Sequence, residues 1–270
     1  MQRGGRMGFY ASTFIFDDIP SEFYDLRIYN FGSGGMESRS SGGDIEIVTQ
    51  QVYRRPTPYF YGVNQNQVLT FPLVFGSYSA LDSTTINIIH KWLFGQTSYK
   101  KLKIVQMDMM DSYYNCFLTN PQTISIGNLA YAFEATVVCD SPWAWSHDKT
   151  FSKTYSADSV SDNFIFQNES VNGDYLYPEI IFTLNSLGSG ITITNASDNN
   201  RQFIFTGLSP YETITLNNDR QTLSSSTGLY RLSKFNLNWF RLLQGANNIT
   251  ITGGVTSFTM NYKLAKIMGG

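Results

Sequence analysis

The sequence predicts a mainly β protein of two domains, residues 1–147 with one short α-helix and residues 148–270 as an antiparallel β-sandwich. Three observations carry this expectation. Most apolar runs alternate with polar residues at a period of two, as half-buried strands do. Only one segment repeats at the helical period. Asn, Asp, Gly and Ser punctuate the second half at the spacing of sandwich strands. With 270 residues the chain exceeds the usual size of a single core, and either one large β domain or two smaller ones would bury a sizeable interior. Aromatics make up 15% of it, with 17 Tyr and 20 Phe, while charged residues reach only 15% against about 25% in ordinary soluble domains. That balance suits strands and the buried centres of interfaces.

Taken in order, "FIFDDIPSEFYDLRIYNF" at 14–31 predicts a strand, a turn at Ile19-Pro20-Ser21 and a second strand. The "GSGG" at 32–35 and "SSGGD" at 40–44 lack the Lys-Ser/Thr ending of a phosphate loop and read as a flexible hairpin tip. Residues 45–53 and 67–76 alternate as half-buried strands, with Pro72 placing the second at an edge or bulge because proline cannot donate to a ladder. In "LDSTTINIIHKWLFGQ" Ile86, Ile89 and Leu93 share one helical face, Asp82 or Ser83 caps the start and Gly95 ends it. Lys100, Lys101 and Lys103 alternate with apolar residues at the solvated start of a strand, and "SYYNCFLT" and "LAYAFEATVVCD" follow. A hairpin centred on Gly127-Asn128 sets Cys116 and Cys139 opposite one another. Two buried thiols are expected there, with a cross-strand disulfide as the alternative in an oxidising setting.

Residues 147–162 turn polar and rich in Ser and Asp, which predicts a connection or an exposed crossing strand and marks the domain boundary. Beyond it "YPEIIFTLN", "GITITN", "QFIFTG", "ETITLN", "FRLL", "NNITITGG" and "SFTMNYKL" read as the strands of the sandwich.

Chemistry finds little purchase. The net charge of −2 offers no field for gathering nucleic acid. No apolar run matches a signal core or a membrane span, so a soluble protein made in the cytoplasm is expected, without membrane partners. His90 and His147 are the only histidines. A triad or a two-His metal site would have to recruit both across the domain boundary. Asp17, Asp18, Asp108, Asp111 and Asp140 read as solvated carboxylates, and 196–202 and 217–221 as turns before metal loops. The Asn-x-Ser/Thr triplets at Asn168, Asn195 and Asn248 carry no weight without secretion. The sequence therefore nominates no catalytic, cofactor-binding or metal-ligating residue and no cofactor.

Four segments carry a resemblance. "TFIFDDIPSEFYDLRI" opens the chain, and "LTFPLVFG" leads into the helix "INIIHKWLFGQ" and the strand "YKKLKIVQ". "YAFEATVVCDSPWAWS" ends in Cys-Asp-x-Pro and an aromatic pair, and "FRLLQGANNITITG" holds a Leu-x-x-Gly-x-Asn-x-Ile-x-Ile hairpin. In this order they resemble the distal tail protein (Dit) family of siphophages, over nearly the whole chain. The resemblance implies a structural virion protein, not an enzyme. Its N-terminal domain would be a tail-tube-like β-barrel or sandwich and its C-terminal domain galectin-like. Six copies would form a homo-hexameric ring between the tail tube protein and the tail-tip hub or fibre protein, with receptor-binding or tape measure proteins as further partners. The ring would sit at the tail tip of the virion, after assembly in the host cytoplasm. Two other classes stay open: a lectin-like sandwich using exposed aromatics such as Trp239 or Tyr230, and an all-β glycoside hydrolase needing two carboxylates across a cleft.

Overall fold

The structure of the chain is a computed structural model that describes residues 13–29, 46–64, 68–107 and 109–267. The glycine-rich segment at 31–44 and Asp108 lie outside the described residues. The protein is mainly β, in several antiparallel sheets. It divides into two compact units: Ser146–Ala265, and the described residues up to Trp145 together with Lys266 and Ile267.

The first unit opens with β1 (Phe14–Phe16), β2 (Ile19–Pro20) and β3 (Arg27–Ile28), and a 3-10 turn at Ser21–Tyr24 separates the last two. The turn is pinned because the buried Ser21 Oγ accepts from the Phe14 N–H at 3.2 Å. The expected strand-turn-strand is present in shortened form, and Phe23 faces solvent rather than the core. Next come β4 (Glu46–Gln50), β5 (Tyr59–Asn64) and β6 (Thr70–Leu81). Then follow α1 (Ser83–Phe94), β7 (Lys100–Ile104), β8 (Ser112–Ile126), β9 (Leu129–Cys139) and β10 (Ala144–Ser146).

One sheet runs in the order β2-β1-β7-β8-β9-β6-β3. Its inward-facing Phe14, Phe16, Leu73, Phe75, Leu102, Phe133 and Val137 pack with Ile89, Trp92 and Leu93 of α1. The helix begins as predicted, the Thr85 N–H donating to Asp82 Oδ1 at 2.6 Å, and Gly95 stands at its C-cap. Trp92 is buried and its Nε1–H donates to the Phe16 carbonyl at 3.1 Å, so the indole fixes helix to sheet at its polar as well as its apolar end. Pro72 pairs with Thr136 of β9, while β3 pairs with Phe75 and Gly76 of the same strand and the Tyr29 N–H donates to the Val74 carbonyl at 2.9 Å.

β8 and β9 form a long hairpin turning at Gly127 and Asn128, both with positive φ, the backbone a tight two-residue turn requires. Cys116 pairs with Cys139 across it, and both are free and buried. Burial foremost, with the neighbouring Asp140 carboxylate, pushes the Cys139 thiol up to about 12 and holds Cys116 above the usual thiol range. The native protein at pH 8 is therefore expected not to react with a thiol-specific disulfide reagent, and both cysteines to react in denaturant. Rapid native labelling would show that the hairpin opens.

The second unit contains β11 (Lys149–Thr154), β12 (Val160–Asn168), β13 (Glu179–Leu184), β14 (Gly190–Asn195) and β15 (Arg201–Thr206). It continues with β16 (Thr213–Asn217), β17 (Thr222–Ser225), β18 (Gly245–Gly253), β19 (Val255–Tyr262) and β20 (Ala265–Lys266), the last reaching one residue past the unit. Two sheets, β11-β19-β13-β16-β17 and β12-β18-β14-β15, enclose Phe182, Ile193, Phe203, Phe205, Ile251 and Phe258. One expectation is corrected and one alternative is decided: the polar stretch at 147–162 takes the strand reading rather than the connection, supplying β11 and the start of β12. "FRLL" is no strand; Leu242 alone bridges to Leu176.

The Leu-x-x-Gly-x-Asn-x-Ile-x-Ile run has a physical account here. Leu242, Ile249 and Ile251 are buried, and Gly245 takes a positive φ. The buried Asn247 accepts from the Leu243 N–H and donates to the Leu243 carbonyl, both at 2.8 Å, so it closes the turn into β18. Gly253 and Gly254 then carry the chain from one sheet to the other. Beside that crossing, a Cβ on Gly190 would stand 2.1 Å from the Phe205 carbonyl oxygen. Gly190→Ala is expected to cost about 1–3 kcal/mol, read as a lowered denaturant midpoint; an unchanged midpoint would mean the edge relaxes freely.

Candidate functional site

Sequence reasoning made 45–53 a half-buried strand, and the structure makes it one side of an exposed arm. Among the described residues β4 and β5 pair only with each other, with a bulge between Val48 and Thr49. Successive strand residues point to opposite faces, yet Tyr59, Phe60 and Tyr61 are all exposed, Phe60 to 67%. Ile47 and Val63 are exposed opposite one another, so among the described residues neither face of the arm rests on a core. The alternation correctly marked a strand, but the expected half-burial is not met by the described residues, since β4 is exposed but for a half-buried Val48; a pattern does not say who supplies the covering surface. Between the strands, the exposed Tyr53 lies beside the Arg54 guanidinium, and Arg55 stacks 3.6 Å from the Tyr59 ring centroid. Such aromatic and Arg groups are those enriched in interface centres. The far end of the β8–β9 hairpin adds Ile126 and Leu129, both exposed.

The second unit holds two polar clusters that sequence reasoning missed. Glu212, whose side chain is fully buried, accepts from Arg231 Nε at 2.7 Å, Arg231 Nη2 at 2.8 Å, Ser225 Oγ at 2.5 Å and the Ser209 N–H at 2.8 Å. Burial works to raise its pKa, but the Arg231, Ser225 and Ser209 hydrogen bonds and the guanidinium charge prevail and bring it down to about 2. At the β14–β15 turn, Asp198 accepts both Arg241 Nε and Nη2, at 2.7 and 3.0 Å. That bidentate pair holds the Asp198 carboxyl below the usual range. Asp198 lay within a stretch read only as a turn, and no spacing in the sequence links it to Arg241.

The other nominated residues do not converge. His90 sits half-buried against the Phe94 and Phe133 rings, at a boundary as expected, and His147 belongs to the other unit. Asp17 pairs with Lys100 at 3.0 Å and Asp140 accepts from Asn115 at 3.0 Å. Among the described residues, no three His, Cys, Asp or Glu side chains group as metal ligands, and no helix is long and apolar enough to cross a membrane. Trp239 packs half-buried on the Phe235 ring, whereas Tyr230 is exposed.

The search of curated proteins found no match. Among solved structures, the fold resembles the crystal structure of the Dit protein of phage SPP1, described as a paradigm of the hub adsorption apparatus in phages infecting Gram-positive bacteria. The TM-score is 0.66 at 10% identity, over 93% of this chain and 98% of that one. The baseplate of phage p2 in its activated, strontium-bound conformation also matches, with a TM-score of 0.47 at 8% identity over 90% and 92% of the two chains. A family model for a phage tail protein N-terminal domain covers residues 9–141, and one for a phage tail C-terminal domain covers 143–262. With its two units thus matched in order along nearly all its length, the chain belongs to this family of phage tail proteins.

Proposed function

We propose that the protein is a distal tail hub, six copies of which close a ring joining the tail tube to the adsorption apparatus at the tail tip. What chiefly supports this reading is the fold shared with the SPP1 Dit protein over 93% and 98% of the two chains. The exposed arm supplies a physical reason. A closed ring uses a heterologous interface, in which one surface of a subunit meets a different surface of the next. The β4–β5 arm is one such surface, and a sheet edge or the tip of the β8–β9 hairpin is its counterpart on the neighbour.

In this reading residues 1–147 form the ring and line its channel, and residues 148–270 project outward as a galectin-like domain. The role is structural, without catalysis or cofactor, in the virion tail after assembly in the host cytoplasm. The tail tube protein meets one face of the ring, and the tip protein, with receptor-binding or tape measure proteins, the other. Light scattering of the purified chain across a concentration series is expected to give about six times its 30.5 kDa mass, with open rings in negative stain. A monomer at every concentration, together with antibody labelling absent from the tail tip of virions, would overturn the reading.

A further inference from the structure

We infer that the tip of the β4–β5 arm docks on the acidic turn between β2 and β3 of a second copy of this chain, Arg54 and Arg55 facing Asp18 and Glu22. This inference rests on the ring reading and deepens it by naming the surface that receives the arm. From Gln51 to Pro58 the arm carries two arginines and no acidic residue, and every residue there is exposed. Neither guanidinium has a carboxylate partner among the described residues. Arg54 lies 5.3 Å from the Tyr53 ring centroid and Arg55 3.6 Å from that of Tyr59. Stacking engages the flat face of a guanidinium and leaves its N–H edge open to a carboxylate. Gln51 Nε2 donates to the Arg55 carbonyl and the Tyr61 hydroxyl to Gln50 Oε1, the latter at 3.0 Å. The tip is thus braced before a partner arrives, which lowers the entropy lost on docking.

The receiving surface is picked out by its charge. β2 and β3 stand at the two ends of the sheet order, and the 3-10 turn Ser21–Tyr24 connects one edge to the other. Asp18, Glu22 and Asp25 are exposed there, and so is the Phe23 ring, to 77%. Asp17 is taken by Lys100 at 3.0 Å, whereas Glu22 meets Arg27 only at 3.9 Å. Set against Arg27, the three exposed carboxylates leave two negative charges, the complement of Arg54 and Arg55. Among the described residues of the first unit, no other stretch sets three exposed carboxylates beside an exposed aromatic ring. The tip of the β8–β9 hairpin is the poorer counterpart, because residues 119–131 carry no charge. It would cover the arm's aromatics and leave two guanidinium groups unpaired at the contact.

A second copy is the occupant because each chain carries both surfaces and covers neither. Tyr53 at the arm tip and Phe23 on the turn both stand in solvent on the single chain. Pairing the arm of one subunit with the turn of the next is a heterologous contact, the kind that repeats around a closed ring. Phe23 and Tyr53 then supply its apolar centre and the charges its rim.

Charge exchange in the full chain tests the contact, with association read by light scattering at low ionic strength. The arm variant is Arg54→Asp, Arg55→Glu, and the turn variant is Asp18→Asn, Glu22→Arg. Asp and Asn suit the positive φ of positions 54 and 18, 63° and 62°, better than longer side chains do. Each variant is expected to melt as the wild type does and to associate about ten-fold or more weakly. An equimolar mixture of the two should assemble alternately, since each presents the surface that the other lacks, and a chain carrying all four substitutions should recover most of the wild-type association. Added salt should weaken the wild-type assembly. An arm variant that associates like the wild type, or a mixture no better than its components, would overturn the contact while wild-type rings left the hub reading standing. A wild type that stays monomeric would remove the contact between copies, and labelling at the tail tip would then decide the hub reading by itself.

Discussion

Glu212→Ala is expected to destabilise the C-terminal sandwich by about 3–5 kcal/mol. The carboxylate gathers the Ser209 backbone ahead of β16, Ser225 at the end of β17 and Arg231 beyond it. The Arg231 side chain is only 11% exposed. Removing its partner leaves a guanidinium largely shielded from water with no counter-charge, the costly half of breaking a buried pair. Glu212→Gln keeps volume and acceptor oxygen but loses the charge, so it should fall between wild type and alanine. Chemical denaturation followed by tryptophan fluorescence reads the difference; an alanine variant with the wild-type midpoint would sink the clamp.

The same group makes a pH prediction of definite sign. A carboxyl depressed to about 2 in the folded chain, against about 4.3 when unfolded, stabilises fully above the unfolded value. That contribution is lost as pH falls through the folded one. The stability gap between wild type and Glu212→Gln should therefore be constant from neutral pH down to about 5 and close between about pH 4.3 and 2. Asp198 and Asp162, depressed chiefly by hydrogen bonds from Arg241 and Lys153, push wild-type stability the same way and remain in both proteins, so they cancel from the gap.

What was legible in the sequence follows from how local the cause is. The helix could be delimited because Asp82 and Gly95 act within one turn of its ends, and the Cys116–Cys139 register followed from counting outward from Gly127-Asn128. The period of two found most strands. It overstated "FRLL", where an apolar run packs on the core through Phe240 and Leu242 without a ladder; it left β11 undecided between a connection and an exposed strand, and passed over most of β12. The Glu212–Arg231 and Asp198–Arg241 pairs bridge 19 and 43 positions. Nothing in the residues between them fixes that distance, so the polar clusters emerge only from the folded topology. The arm shows a different limit, since alternation reports a face to be covered and is silent on whether the cover belongs to the same chain.

That silence motivates the last prediction. The double variant Tyr53→Asp, Phe60→Asp is expected to keep the stability of the isolated chain within about 0.5 kcal/mol, as exposed substitutions usually do, and to weaken association into the proposed ring by roughly 100-fold or more. The first half follows from exposure, 86% for Tyr53 and 67% for Phe60, and from an arm whose strands join no other sheet among the described residues. The second follows because burying an unpaired carboxylate at an interface centre, in place of an aromatic anchor, loses apolar contact and adds a desolvation cost. Light scattering and melting on the same preparations separate the two. Unchanged rings would show that the arm faces solvent in the assembled tail, and a lowered melting temperature would show that its covering surface belongs to its own chain. Only a folded chain that fails to assemble fits an arm whose aromatic faces await a neighbouring subunit.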